Sequence, residues 1–121
     1  MSTGMTKKQW IEPREHLARL SRCAAALQAA SADCLFVLPG PNLAYLSGLR
    51  FVRERHRLLA ALVMADGSLI TMGPRFEEHA LGGGPVPPAE VVVWGDEDDQ
   101  YATVADRVTR TAGPRPTVAV E

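Results

Sequence analysis

Apolar residues recur along the first part of the chain at intervals of three and four. Leu17, Leu20, Ala24 and Leu27 make one stripe, with Arg14, Arg19 and Arg22 off it, and Pro13 suits a first helical position. This spacing predicts a helix from about Pro13 to Ala30. The period then changes. "CLFVLP" is an unbroken apolar run closed by Pro39-Gly40, the pattern of a strand buried on both faces. "NLAYLSGL" reads as a second, shorter extended segment ending at Gly48. "RLLAALVMA" and "SLITMG" flank Asp66-Gly67 as strand, tight turn and strand.

Beyond the hairpin, "PRFEEHALG" predicts a short helix, "GGGPVPP" a connector and "EVVVWG" another buried strand. Asp98 or Asp99 caps a last helix that turns Tyr101, Val104, Ala105 and Val108 inward and stops at Gly113-Pro114. "TVAVE" begins a final strand. Strands separated by helices, with connections long enough for parallel crossovers, imply a three-layer α/β domain on a mixed sheet of about five to six strands. Residues 1–11 form a leader and residues 12–121 the domain. The sequence stops at Glu121 inside a strand, which reads as a cut.

At 121 residues and 46% hydrophobic, the chain suits one domain with an ordinary core. Its net charge of −1 gives no global attraction to nucleic acid or anionic membrane. No apolar stretch approaches the roughly 20 residues of a membrane helix, and "MSTGMTKKQW" lacks the apolar core of a secretory signal. Cys23 and Cys34 sit in apolar contexts and read as small buried hydrophobes in a reducing compartment. The expectation is a cytoplasmic protein.

Most of the chemically suggestive segments reduce to structure. Asp96–Asp99 lacks the alternating ligands, glycine and distal Glu of a calcium loop, and reads as a solvated turn at a helix N-terminus. "GGGPVPP" has no Gly-Lys-Ser/Thr ending, and its prolines remove backbone donors a phosphate cradle needs. His16, His56 and His79 share no ligand spacing, and His16 and His79 are expected on helix surfaces. Ser47 lacks a nucleophile-elbow frame.

What remains is the basic loop of Arg50, Arg53, Arg55, His56 and Arg57. Arginine forks suit carboxylates and phosphates, although a solvated loop partly neutralised by Glu54 is the plainer alternative. With Phe51 as its sole aromatic, the loop lacks the interleaving that nucleic-acid binding favours.

The order of these features resembles one family. "REHLARLSRCAAAL" leads to "ADCLFVLPGPNLAYLSGL", then "ERHRLLAALVMADGSLITMGPRFEEHA", "VVVWGDEDD", a helix and "TVAVE". Over residues 12–121 this is similar to the N-terminal domain of the creatinase, prolidase and Xaa-Pro aminopeptidase family. The most specific part is Asn42-x-x-Tyr45-Leu46-Ser47-Gly48, a structural signature. The resemblance implies a ribonuclease H-like three-layer fold. It also implies a second, pita-bread catalytic domain, absent from this chain, holding two divalent metal ions on Asp, His and Glu ligands. This chain alone is then catalytically silent.

Such domains contribute homodimer contacts and lean loops over a neighbouring active site. The resemblance therefore implies a substrate-capping loop, with Arg55, Arg53, Arg50 and then His56 as candidates to meet a substrate carboxylate. The intact protein would be a metal-dependent Xaa-Pro peptidase or creatinase-like C–N hydrolase acting on a small peptide or amide. An alternative keeps the architecture without the chemistry: a stand-alone or degenerate peptidase-like module whose basic loop grips acidic peptides or proteins.

Overall fold

The computed structural model describes residues 11–53 and 56–120. Helix α1 (Pro13–Ala29) starts with proline in its first turn and buries His16, Leu20, Ala24 and Leu27. Leu20, Ala24 and Leu27 are buried as expected, but Leu17 is exposed, and His16, expected on the surface, is buried in its place. A left-handed Ser31 ends the helix and turns the chain into strand β1 (Cys34–Val37).

The clearest departure from the sequence reading follows. Residues 41–47 are not extended but form helix α2 (Pro41–Ser47), with proline in the first turn and Gly48 as its left-handed C-cap. Fixed φ at the start and positive φ at the end are the normal terminators of a short helix. Leu43 and Leu46 face the core, so the three-residue helical spacing wins over the apolar run.

Strands β2 (Ala60–Met64) and β3 (Leu69–Pro74) make the expected hairpin, and every residue of both is buried. Gly67 supplies the positive φ (89°) of the turn, while Asp66 Oδ1 accepts hydrogen bonds from Ser68 N and Oγ. A single 3₁₀ turn (Arg75–Glu77) leads into α3 (Glu78–Gly82). Strand β4 (Glu90–Trp94) and helix α4 (Gln100–Ala112) follow, and β5 (Val118–Val120) ends the described chain.

The five strands form one sheet in the order β4-β3-β2-β1-β5. β2 is antiparallel to β1 and β3, whereas β3–β4 and β1–β5 are parallel. The mixed α/β architecture expected from the sequence is therefore present. One face carries α1 and α2 over Leu20, Leu27, Val37, Leu43, Leu46 and Val63. The other carries α4 over Cys34, Leu62, Ile70, Met72, Val92 and Trp94. In α4, Val104 and Val108 face this core, but Tyr101 and Ala105 are exposed, contrary to the expected inner face. Asp99 caps α4, its carboxylate accepting from Tyr101 N and Ala102 N at 3.0 Å each. Asp33 ties β5 to the sheet: its backbone N–H donates to Thr117 O, and its carboxylate accepts from Thr117 N, both at 2.8 Å.

Strands β1, β3, β4 and β5 run the same way, so their C-terminal ends share one edge of the sheet. The basic loop enters β2 at that edge.

Candidate functional site

The signature segment is fixed by interactions within the chain. Ser47 is buried, donates to Leu43 O at 2.7 Å and accepts from Leu49 N at 3.1 Å. A Cβ at Gly48 would lie 2.3 Å from Pro85 Cγ, and φ there is +81°, so both space and backbone require glycine. Leu46 is buried, whereas Asn42 and Tyr45 are exposed. The Tyr45 carbonyl, in the last turn of α2, accepts from Arg19 Nη1 at 2.9 Å and from His16 Nδ1 at 3.1 Å. Both groups satisfy a helix-end carbonyl that has no partner within the helix. The Arg19 guanidinium also stacks on the Tyr45 ring, 4.1 Å from its centroid.

The loop that follows is opened toward three cavities. Arg53 and Arg57 line a cavity of about 290 Å³ with Phe36, Leu38, Pro39 and Leu58. Among the described residues its lining is apolar apart from the two guanidiniums and the Tyr101 hydroxyl, with no carboxylate. His56 and Arg57 line an adjoining cavity of about 350 Å³, where they share the walls with Asp96, Asp98 and Asp99. Arg50 belongs to neither; it lines a third cavity, of about 280 Å³, with His16, Gly48 and Gly84. Arg55 lies outside the described residues.

Two contacts tie the end of the loop to α4 and to the 3₁₀ turn after β3. Gln100 Oε1, in the first turn of α4, accepts from Leu58 N at 3.0 Å. The Arg57 guanidinium stands 5.0 Å from the Phe76 ring centroid. The "DEDD" turn is thus structural, as expected: Asp99 caps α4, and Asp98 Oδ2 accepts from Gly95 N at 2.7 Å. No local sequence signal, however, places these carboxylates in one cavity with His56 and Arg57. Among the described residues, no group of three or more His, Cys, Asp or Glu side chains could hold a metal ion. No described helix is long and apolar enough to cross a membrane. Burial pushes both thiols up, with Asp33 adding to the effect at Cys34.

Comparison with known proteins gives these features a family. A model of the creatinase/prolidase N-terminal domain matches residues 19–121. No curated protein sequence matches the chain. Among solved structures, a dipeptidase from Pyrococcus horikoshii OT3 is 25% identical, with a TM-score of 0.69 over 85% of this chain. Dipeptidase PepE from Mycobacterium ulcerans is 32% identical, with a TM-score of 0.67 over 79% of this chain. The chain spans only 28% and 26% of those two proteins. The N-terminal domain of a Xaa-Pro dipeptidase from Lactobacillus brevis shares the fold, with a TM-score of 0.71 at 21% identity, covering 84% of this chain and 75% of that one. With the family model spanning residues 19–121 of its 121, the chain belongs to the creatinase/prolidase N-terminal domain family.

Proposed function

We propose that this chain is the non-catalytic N-terminal domain of a metal-dependent Xaa-Pro dipeptidase or related C–N hydrolase, and that its basic loop caps the substrate. The observation that carries this reading is the 290 Å³ cavity at the C-terminal edge of the parallel strands. Open α/β sheets place ligands at that edge. Two guanidiniums over an apolar floor suit a carboxylate attached to an apolar body, the chemistry at the C-terminal end of an Xaa-Pro dipeptide.

The neighbouring cavity is less suited to an anion, because Asp96, Asp98 and Asp99 oppose His56 and Arg57. That opposition ranks Arg53 above His56, with Arg55 beside it in sequence. It also weighs against the alternative of a module that grips acidic peptides through the whole loop. The two divalent metals belong to the catalytic domain that the relatives' greater length accommodates; this chain supplies substrate positioning and exclusion of water. Val52, Phe76 and Tyr101 are exposed apolar groups near the loop, and they support this edge as the surface that meets a second subunit or domain.

The test is Arg53→Gln in the full-length gene product, assayed on an Xaa-Pro dipeptide. The expected result is a KM raised about tenfold with kcat little changed, as for a contact made equally in ground and transition states. Unchanged kinetics in R53Q would remove Arg53 from the cap. Absence of any peptidase or amidase activity in the full-length product would remove the hydrolase reading. Tight binding of acidic peptides at moderate salt would favour the binding module instead.

A further inference from the structure

His16 is an imidazole only 2% exposed, on a helix face otherwise made of Leu20, Ala24 and Leu27. A carbonyl oxygen only accepts, so the 3.1 Å contact to Tyr45 O places a ring hydrogen on Nδ1. In the neutral ring Nε2 then carries the lone pair and can only accept. It has no hydrogen-bond partner among the described residues, yet no fully enclosed side-chain nitrogen or oxygen among them lacks one. Nε2 is therefore open on the 280 Å³ cavity that His16 lines. A Cβ on Gly48, in the same wall, would stand 3.1 Å from that nitrogen, so glycine keeps it uncovered. The rest of the lining narrows what can donate to it. Ile11, Ala44 and Pro85 are apolar, Arg50 is a cation, and no described lining residue is a carboxylate. A cationic donor would meet Arg50 with no counter-charge, and an anion would bring acceptors to an acceptor. A neutral, planar, apolar body with one N–H and no acceptor matches, because a guanidinium favours the face of such a ring. The volume lies just below the range of drug-sized sites, which suits a single ring system.

We infer that this cavity binds an indole ring, its N–H donating to His16 Nε2, its hydrocarbon edge against Ile11, Ala44 and Pro85, and its face toward Arg50. This site is separate from the one lined by Arg53 and does not depend on the capping reading. Binding moves no proton: Nδ1 keeps its hydrogen bond to Tyr45 O, and the indole fills the one position that the imidazole leaves open. Arg19, the other cation near His16, is already engaged. Its Nη1 donates to Tyr45 O, its Nε donates to Glu15, and its guanidinium stacks on the Tyr45 ring.

The test is a titration of the 121-residue chain with indole at pH 8, where an ordinary imidazole is neutral. It is followed by ¹⁵N NMR of the His16 ring and the Gly83 and Gly84 amides. Saturable shifts are expected, largest at Nε2, with the hydrogen still on Nδ1. Benzofuran has the same shape with an oxygen in place of the N–H, and should bind at least about tenfold more weakly. Ala44→Leu puts a good helix former at a half-buried position and fills the cavity, so it should abolish binding while α2 persists. R50Q should weaken binding about threefold, while R53Q leaves it unchanged. Indole stands for a free ring and N-acetyltryptophan amide for a tryptophan side chain on a peptide, and the tighter of the two identifies the source. No saturable shift with either, benzofuran binding as tightly as indole, or unchanged binding in A44L would overturn the assignment.

Discussion

Residues 41–49 direct polar groups back into the chain, whereas Arg50, Arg53, His56 and Arg57 in the next stretch line cavities. In the first stretch Ser47 bridges Leu43 O and Leu49 N, Gly48 packs against Pro85, and α1 reaches across to satisfy the Tyr45 carbonyl. In the second, Arg50 and Arg53 are exposed and line different cavities, and His56 and Arg57 face aspartates from the β4–α4 turn. Residues 41–49 are therefore scaffold, and the described basic residues beside them are left to line cavities. A signature whose residues cap a helix and fill a crossing point constrains the fold tightly while leaving the substrate open.

Substitutions at residues 47–53 and at Gln100 can break this contrast. The largest effect is expected from Gly48→Ala, which meets both a positive φ and Pro85 Cγ at 2.3 Å; urea denaturation should show a loss of about 3 kcal/mol or more. Ser47→Ala strands the buried Leu49 N–H and should cost about 2 kcal/mol in the same assay. Gln100→Ala removes the acceptor for Leu58 N at the loop's far end and should cost about 1 kcal/mol. Arg53→Gln should change stability by no more than about 0.5 kcal/mol, because its role lies outside the fold. If R53Q destabilised as much as S47A, the division between scaffold and loop would be wrong.

A pH measurement on the hairpin gives a still smaller effect as a control outside both regions. Hydrogen bonds from Ser68 hold the Asp66 carboxyl below its ordinary value. A carboxyl lowered in the folded state adds stability above its unfolded titration and loses it as pH falls through the folded one. Asp66→Asn should therefore lower stability slightly at neutral pH, with the difference from the parent shrinking as pH falls below about 4.

Much of the fold was legible because its signals are local. Asp66-Gly67 between two apolar runs could hardly be anything but a hairpin, and an aspartate ahead of a periodic segment marked the α4 cap. Helix α2 departs from the sequence expectation because its apolar run is short enough to read as a strand. The terminators Pro41 and Gly48 were visible and carried the correct answer. The polarity of histidine favours the surface for His16. Its position four residues before Leu20 put it on the buried stripe all the same.

The site was less legible than the fold. That Arg53 and Arg57 share a cavity with Phe36 and Leu38 depends on the pairing of β1 with β2. Residues 56 and 57 meet residues 96–99 only once β3 and β4 are in place. No local pattern encodes such meetings, which are products of register and topology.

The central claim is that this domain works as the front part of a longer hydrolase. It is tested most directly by the intact mass of the native gene product, measured by top-down mass spectrometry on endogenous protein. The account predicts a species far heavier than 13.1 kDa, carrying residues 1–121 at its N-terminal end. A native product of 13.1 kDa would contradict it and leave Arg53 and its neighbours as a binding surface without a catalytic partner in the same chain.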